Sequence, residues 1–262
     1  MSMDVSSLFS VDGKVAVVTG GSRGIGRMVA EGLVRSGARV YISSRKAEVC
    51  DAVAEELSEH GECHSLPADL STEDGVLGLA AQLAVREPRV HLLVNNAGAT
   101  WGAPLEEFPD SAWDKVLATN VKAVFELTVA LLPQLRAAAS EDDPARVVNV
   151  GSVDGIRVPE TENYAYAASK AAVHMVTRQL AHRLVADRIT VNAIAPGPFP
   201  SKMMAFVLDA EGGEELVSAS VPLGRIGRPE DVVGTVVYLA SRAGSYLTGA
   251  IIPVDGGVST RG

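Results

Sequence analysis

The chain has 262 residues, 47% of them hydrophobic, and a formal net charge of −9 at pH 7. That length suits one large domain with a sizeable core. The acidic balance, with no basic run to offset it, argues against nucleic acid or an anionic membrane as the main partner.

Residues Met1 to Asp12 lack a basic segment followed by a long apolar one. No apolar run reaches the ~18 residues of a membrane span, so a cytoplasmic protein is expected. The first strand is read at Lys14–Thr19, a short apolar run of the kind buried in a parallel sheet. It runs into Gly20-Gly21-Ser22-Arg23-Gly24-Ile25-Gly26, and apolar positions then recur at Ile25, Met28, Val29 and Leu33 as a helical stripe. Strand, glycine-rich turn and helix together form a phosphate cradle. The glycines permit a tight turn and close backbone approach, and the helix N-terminus offers free N–H groups to an anion.

Further strands are read at Arg39–Ser43, Cys63–Pro67, Val90–Asn95, Ala145–Val150, Ile189–Ile194 and Ala250–Val254. Helical stretches fall at about 25–36, 46–60, 72–86, 111–136 (broken near Asn120), 167–186 and 229–241. Strands alternating with helices mean βαβ crossovers and an α/β fold, a seven-stranded parallel sheet with helices on both faces. No linker or repeat divides the chain, so residues 1–262 read as one domain. The segment 197–224 interrupts the alternation just after a strand and is read as a substrate lid. Cys50 and Cys63 stand outside any metal-ligand spacing and read as idle thiols. The histidines at 60, 64, 91, 174 and 182 form no ligand motif, and no metal is expected. His174 reads as a packing or surface residue.

Tyr166-Ala-Ala-Ser-Lys170 carries the chemistry. Tyrosine and lysine one helical turn apart share a face. At roughly 4 Å and an effective dielectric of ~20, the lysine charge is worth about 4 kcal/mol, or about 3 pKa units. It would draw the phenol toward neutrality, where it exchanges protons with a carbonyl oxygen. Tyr164 has no lysine four residues on and is read as outside the pair.

In order and spacing these pieces resemble the classical short-chain dehydrogenase/reductase family over nearly the whole chain. The matching pieces are Thr19–Gly26, Asn95-Asn96-Ala97-Gly98, Asn120, Gly151-Ser152, Tyr166 with Lys170, Pro196-Gly197, and Val254-Asp255-Gly256-Gly257. Within the family the chain is most similar to bacterial 3-oxoacyl (β-ketoacyl) reductases, nearest the rhamnolipid-pathway type. The resemblance implies a Rossmann-type doubly wound domain that moves hydride between a nicotinamide and a carbonyl carbon. Tyr166 would supply the proton, and Lys170 would lower the tyrosine pKa and bind the nicotinamide ribose. Ser152 would hold the carbonyl oxygen. Asn120 would open a helix and hold a water that links Lys170 to solvent.

The second strand ends Ser43-Ser44-Arg45-Lys46, with none of the carboxylates that select NAD. Arg45, Arg23 and Ser44 suit a 2′-phosphate, so NADP(H) is the expected cofactor. Gly20, Ser22, Gly24, Ile25 and Gly26 belong to its turn. The resemblance adds Asp69-Leu70 at the adenine, Asn96-Ala97-Gly98 after the fourth strand, Pro196-Gly197 and Phe199 at the nicotinamide, and Ser201 at its carboxamide. It also implies a homotetramer, with the helices around 111–136 and 167–186 pairing; Ala167, Ala168, Ala171 and Ala172 would allow close approach.

Two departures bear on the substrate. Asp154 puts a carboxylate where small neutral residues are usual. Asp187 stands where carrier-dependent reductases tend to have arginine, leaving Arg136, Arg178 and Arg188 as the alternative basic patch. The leading expectation is NADPH-dependent reduction of a 3-oxoacyl thioester or similar ketone. The alternatives are a secondary-alcohol dehydrogenase for a sugar, cyclic ketone or xenobiotic, and a nucleotide-sensing protein without turnover.

Overall fold

A computed structural model describes residues 5–201, 204–205 and 210–260. Seven strands form one sheet in the order β3-β2-β1-β4-β5-β6-β7, every neighbouring pair parallel. They are β1 Val15–Thr19, β2 Arg39–Ser43, β3 Cys63–Ser65, β4 Leu92–Asn95, β5 Ala145–Val150, β6 Ile189–Pro196 and β7 Ile251–Val254. Every residue of β1, β5 and β6 is buried. Layers on both faces explain why these strands read as continuous apolar runs and not as alternating ones.

One layer holds α2 Gly24–Arg35, α3 Ala47–Ser58 and α10 Pro229–Ala240, which pack Val29, Leu33, Leu57 and Val236 on the sheet. The other holds α4 Glu73–Arg86, α6 Ala123–Ala130, α7 Leu132–Ala138 and α8 Tyr164–Leu184, with Leu79, Leu127, Leu135 and Leu180 inward. A short α1, Val5–Leu8, precedes the sheet, α5 spans Asp110–Leu117, and α9 spans Gly213–Ser220.

The strand order reverses between β1 and β4, and the crevice there is where such sheets bind ligands. No single helix among the described residues is long and apolar enough to cross a membrane.

Several elements differ from the sequence reading: β3 stops at Ser65, short of Pro67, β4 starts at Leu92, after Val90, and β6 runs past Ile194 to Pro196. The stretch 111–136 is broken twice. One turn, Ala118–Lys122, widens to π geometry around Asn120, and a second break at Leu131 precedes Pro133, which lacks the N–H a continuous helix needs. Segment 197–224 contains a regular helix, α9, whose Glu214-Glu215 and Ser218 gave no apolar stripe. Residues 202–203 and 206–209 of that segment lie outside the described residues. Lastly, α8 begins at Tyr164, ahead of the predicted 167.

Candidate active site

The glycine turn is built around close approach. Gly20 (φ 66°) and Gly24 (φ 53°) occupy the left-handed region, where a side chain is strained. A Cβ on Gly26 would lie 2.3 Å from the Gly20 carbonyl oxygen, so the turn closes only on glycine. Arg23, extended at the N-cap of α2, makes no side-chain cap, which leaves the helix's first N–H groups to an incoming anion. Ser22 and Ile25 are half-buried, Ile25 against the core. Ser201 faces the turn: a Cβ on Gly24 would lie 3.3 Å from its own.

The Asn-Asn-Ala-Gly segment after β4 braces this turn. Asn96 donates to the carbonyls of Thr19 (2.9 Å) and Gly20 (3.3 Å), and Thr19 Oγ1 accepts from the N–H groups of Asn96 (2.9 Å) and Ala97 (3.0 Å). The Asn96 amide, expected on the cofactor, is thus engaged with the turn itself.

At the rim, Ser44 is half-buried and Arg45 exposed. Arg45's charge reaches Asp69. Burial pushes the Asp69 carboxyl up, but bonds from the Ser71 hydroxyl and N–H, with Arg45, hold it below its ordinary value. Leu70 is buried beside it.

Across the crevice, Ser152 follows β5 and caps a tight turn at Val153–Gly155, its Oγ accepting from the Asp154 N–H at 3.1 Å. The Ser152 and Tyr166 hydroxyls are hydrogen-bonded. Lys170 Nζ donates to the Val150 carbonyl at 2.8 Å and lies 5.4 Å from the Tyr166 ring centre.

The electrostatics differ from the spacing argument. Tyr166 keeps part of its surface open to the cleft. Desolvation nevertheless pushes its hydroxyl up to about 12, with Asp154 adding to the rise and the Ser152 bond opposing it. Burial lowers Lys170 to about 8 against the pull of Asp154.

Asn120 is 1% exposed and spends both amide hydrogens within the protein, on the Ala99 carbonyl (2.9 Å) and Ser169 Oγ (2.9 Å); its oxygen accepts from Ala99 N–H at 2.7 Å. The expected helix opening is there, and the side chain fastens the loop after β4 onto α8. Gly98 fits beside it: a Cβ there would lie 3.4 Å from Asn120 Oδ1 and 3.8 Å from Lys170 Nζ.

Pro196 ends β6, and Gly197 abuts Asp255, where a Cβ would lie 2.8 Å from the Asp255 Cα. Phe199 is buried, its ring filling the space where a Gly227 Cβ would stand.

His174, read as a packing or surface residue, is a packing one, and sequence reasoning missed two further features, Asn163 and an aromatic cluster. His174 is buried under the catalytic turn, wedged against Gly151 and Gly155, with Nε2 unpartnered; burial lowers it to about 4. Asn163, which precedes α8, donates to Asp154 Oδ2 at 3.1 Å. An aromatic shelf gathers at the start of α8: Phe108 meets Tyr164 at 5.3 Å and Trp113 at 6.0 Å, and Lys115 sits 5.3 Å over Trp101. Only the run of aromatics at 101, 108, 113 and 164 signalled it. The arginine patch, in contrast, is elsewhere. Asp187 pairs with Arg136 at 2.9 Å and, with Arg188, precedes β6, at the opposite end of that strand from Pro196.

The family model described as Enoyl-(Acyl carrier protein) reductase matches residues 20–259. The rhamnolipids biosynthesis 3-oxoacyl-[acyl-carrier-protein] reductase of Pseudomonas aeruginosa is 51% identical over 249 residues, 95% of this chain and 97% of that protein. The Pseudomonas aeruginosa RhlG/NADP active-site complex superposes with a TM-score of 0.94 at 50% identity, covering 97% of this chain and 99% of that one. Gluconate 5-dehydrogenase of Gluconobacter oxydans is 34% identical over 262 residues, 98% of this chain and 99% of that protein. With the parallel sheet, the glycine turn and the Ser152–Tyr166–Lys170 cluster all in their expected order, the chain belongs to the short-chain dehydrogenase/reductase family.

Proposed function

We propose that the protein is an NADPH-dependent carbonyl reductase acting on a 3-oxoacyl thioester. The observation that carries the reading is the gathering of Ser152, Tyr166 and Lys170 at the strand ends where the glycine turn opens. The crevice fits a dinucleotide phosphate. Its turn leaves no room for a Cβ at Gly26, its helix N-terminus is uncapped, and Arg23, Ser44 and Arg45 line the rim with no carboxylate at the end of β2. When bound, NADPH supplies the hydride.

Ser152 Oγ, already accepting from Asp154 N–H, directs its own hydrogen at the substrate carbonyl oxygen. Tyr166 donates the proton that the developing alkoxide takes up. Lys170 holds the ribose and the positive end of the site. Pro196, Gly197, Phe199 and Ser201 close the nicotinamide side, with 197–224 as the lid. Asp69 and Leu70 border the adenine, and Ala97 and Gly98 the ribose path.

The relatives' names support a 3-oxoacyl substrate. So does the aromatic shelf at Phe108, Trp113 and Tyr164, which suits an apolar chain better than a sugar acid. The protein acts in the cytoplasm as a homotetramer on this reading. The test is NADPH consumption with a panel of 3-oxoacyl thioesters, cyclic ketones and keto-sugars, run alongside Tyr166→Phe. The variant should bind NADPH and lose at least ~100-fold in turnover. Near-normal turnover would remove Tyr166 from the mechanism, and a preference for keto-sugars would replace the substrate assignment.

A further inference from the structure

The turn that carries Ser152 has an apolar footing of its own. The next residue, Val153, is buried and packs with Val221 and Val258 in a small cluster separate from the two large cores on either face of the sheet. Each valine comes from a different part of the chain. Val153 opens the tight turn capped by Ser152. Val221 ends α9, its N–H donating to the Ser218 carbonyl at 3.1 Å. Val258 begins a further tight turn, Val258–Thr260, beyond β7.

The C-terminal turn is folded so as to deliver Val258 to this place. The Asp255 carboxylate accepts from the Gly257 N–H at 2.9 Å and the Ser259 N–H at 2.7 Å, and its carbonyl accepts from the Val258 N–H at 3.2 Å. The Gly256 carbonyl accepts from the Leu223 N–H at 3.1 Å, and a Cβ on Gly256 would lie 2.6 Å from Val221 Cγ1. The segment after α9 and the C-terminal turn therefore lock together, and both meet the serine turn at Val153. Gly197, donating to the Val254 carbonyl at 3.0 Å, ties the same corner to the end of β6.

We propose that Val221 and Val258 are positioning residues that set Ser152 through Val153, which makes the C-terminal turn a working part of the carbonyl site. The proposal rests on the reading of Ser152 as the group that holds the carbonyl oxygen.

Packing suits this task. Ser152 Oγ accepts from the Asp154 N–H, a bond inside its own turn that fixes the serine to the turn but not the turn to the fold. Gly151 and Gly155 rest on His174, and Val153 between them rests on the other two valines. Dispersion contacts weaken within an ångström, so a valine cut back to alanine leaves Val153 room to sink. A donor displaced by about 1 Å can lose as much as ~100-fold in rate. Because Val221 also ends α9, the serine and the segment read as a lid share one anchor.

The test measures kcat and KM for a 3-oxoacyl thioester at saturating NADPH, the NADPH dissociation constant, and the melting temperature. The variants are Val221→Ala, Val258→Ala, Val258→Ile and Val76→Ala. Val76, 1% exposed on α4 within a large core, controls for the plain loss of a buried valine. Val221→Ala and Val258→Ala should each lower kcat about tenfold and leave the NADPH dissociation constant unchanged. Val258→Ile, which keeps the branched contact, should stay within about twofold of wild type. Val76→Ala should melt at a similarly lowered temperature with kcat unmoved.

An unchanged kcat in both cluster alanine variants would overturn the proposal. An equal loss of kcat in Val76→Ala would overturn it too, since the effect would then be general loosening. Should one cluster alanine variant fail to fold, the other decides. Should both fail while Val76→Ala folds, the cluster is core, and the positioning role falls. Failure of the underlying reading has a different signature: Ser152→Ala itself would turn over normally.

Discussion

Lys170 carries its charge where the fold resists it. It is 5% exposed, and burial brings it from 10.5 to about 8. Since the folded value lies below the unfolded one, the unfolded chain holds more protons between the two. The destabilisation is full below pH 8 and fades as pH rises through that window. It amounts to about 3 kcal/mol. Lys170→Met removes it and loses one hydrogen bond of about 1 kcal/mol to Val150. The variant should be inactive yet melt at or above the wild-type temperature at pH 7. A melting temperature more than about 5 °C lower would show that this lysine supports the fold as well as the reaction. Arg45 makes the opposite case, an exposed charge that the isolated fold scarcely uses. Arg45→Asp should leave the melting temperature unchanged and shift the ratio of kcat/KM from NADP toward NAD, because it removes a charge-assisted bond of ~1.5–3 kcal/mol and sets an anion against the 2′-phosphate. An unchanged ratio would place the 2′-phosphate elsewhere.

At the scale of elements, the catalytic turn after β5 is shaped by what lies beneath it. A Cβ on Gly151 would lie 2.2 Å from His174 Nε2, and one on Gly155 would lie 2.9 Å from His174 Cε1. The buried imidazole and the two glycines fill one volume. Gly151→Ala should therefore cost about 1–3 kcal/mol, the usual range for overpacking, and displace Ser152. Adding His174→Ala should restore much of the stability, read from denaturant midpoints of the single and double variants. Additive losses would show that the two sites do not share space. Gly151 was legible as part of a motif, but its reason was not, because the histidine that excludes a Cβ there comes more than twenty residues later. Asn120 was legible as a helix breaker, since a buried amide within an apolar helix must find partners. Which partners it takes, Ala99 and Ser169, depends on how the loop after β4 lies against α8. The burial of Tyr166 was not legible for a related reason. Spacing gives the distance to a lysine, whereas the larger influence is the amount of water shut out by every element around the hydroxyl.

For the whole molecule, the seven parallel strands with helices on both faces followed from alternation, while the strand order and the surfaces did not. Leu117, Phe125 and Val129 recur at four-residue intervals or multiples of four along α5 and α6, and they are 38%, 48% and 43% exposed. Met175 on α8 is 52% exposed, and on another face Tyr246 is fully exposed. Monomers rarely leave apolar surface of this extent in water. We predict that the helical stripe makes one two-fold contact and the Tyr246 face another, an arrangement that would generate a tetramer with 222 symmetry. The homotetramer should appear in light scattering at micromolar concentration. Phe125→Asp, which buries a charge in the first contact, should reduce it to dimers held by the second; Tyr246→Asp should do the converse. Since Phe125 points away from the core, the protomer should keep its secondary structure in either variant. A wild-type monomer at that concentration, or a tetramer indifferent to both charges, would mean that the stripe faces water for some other reason.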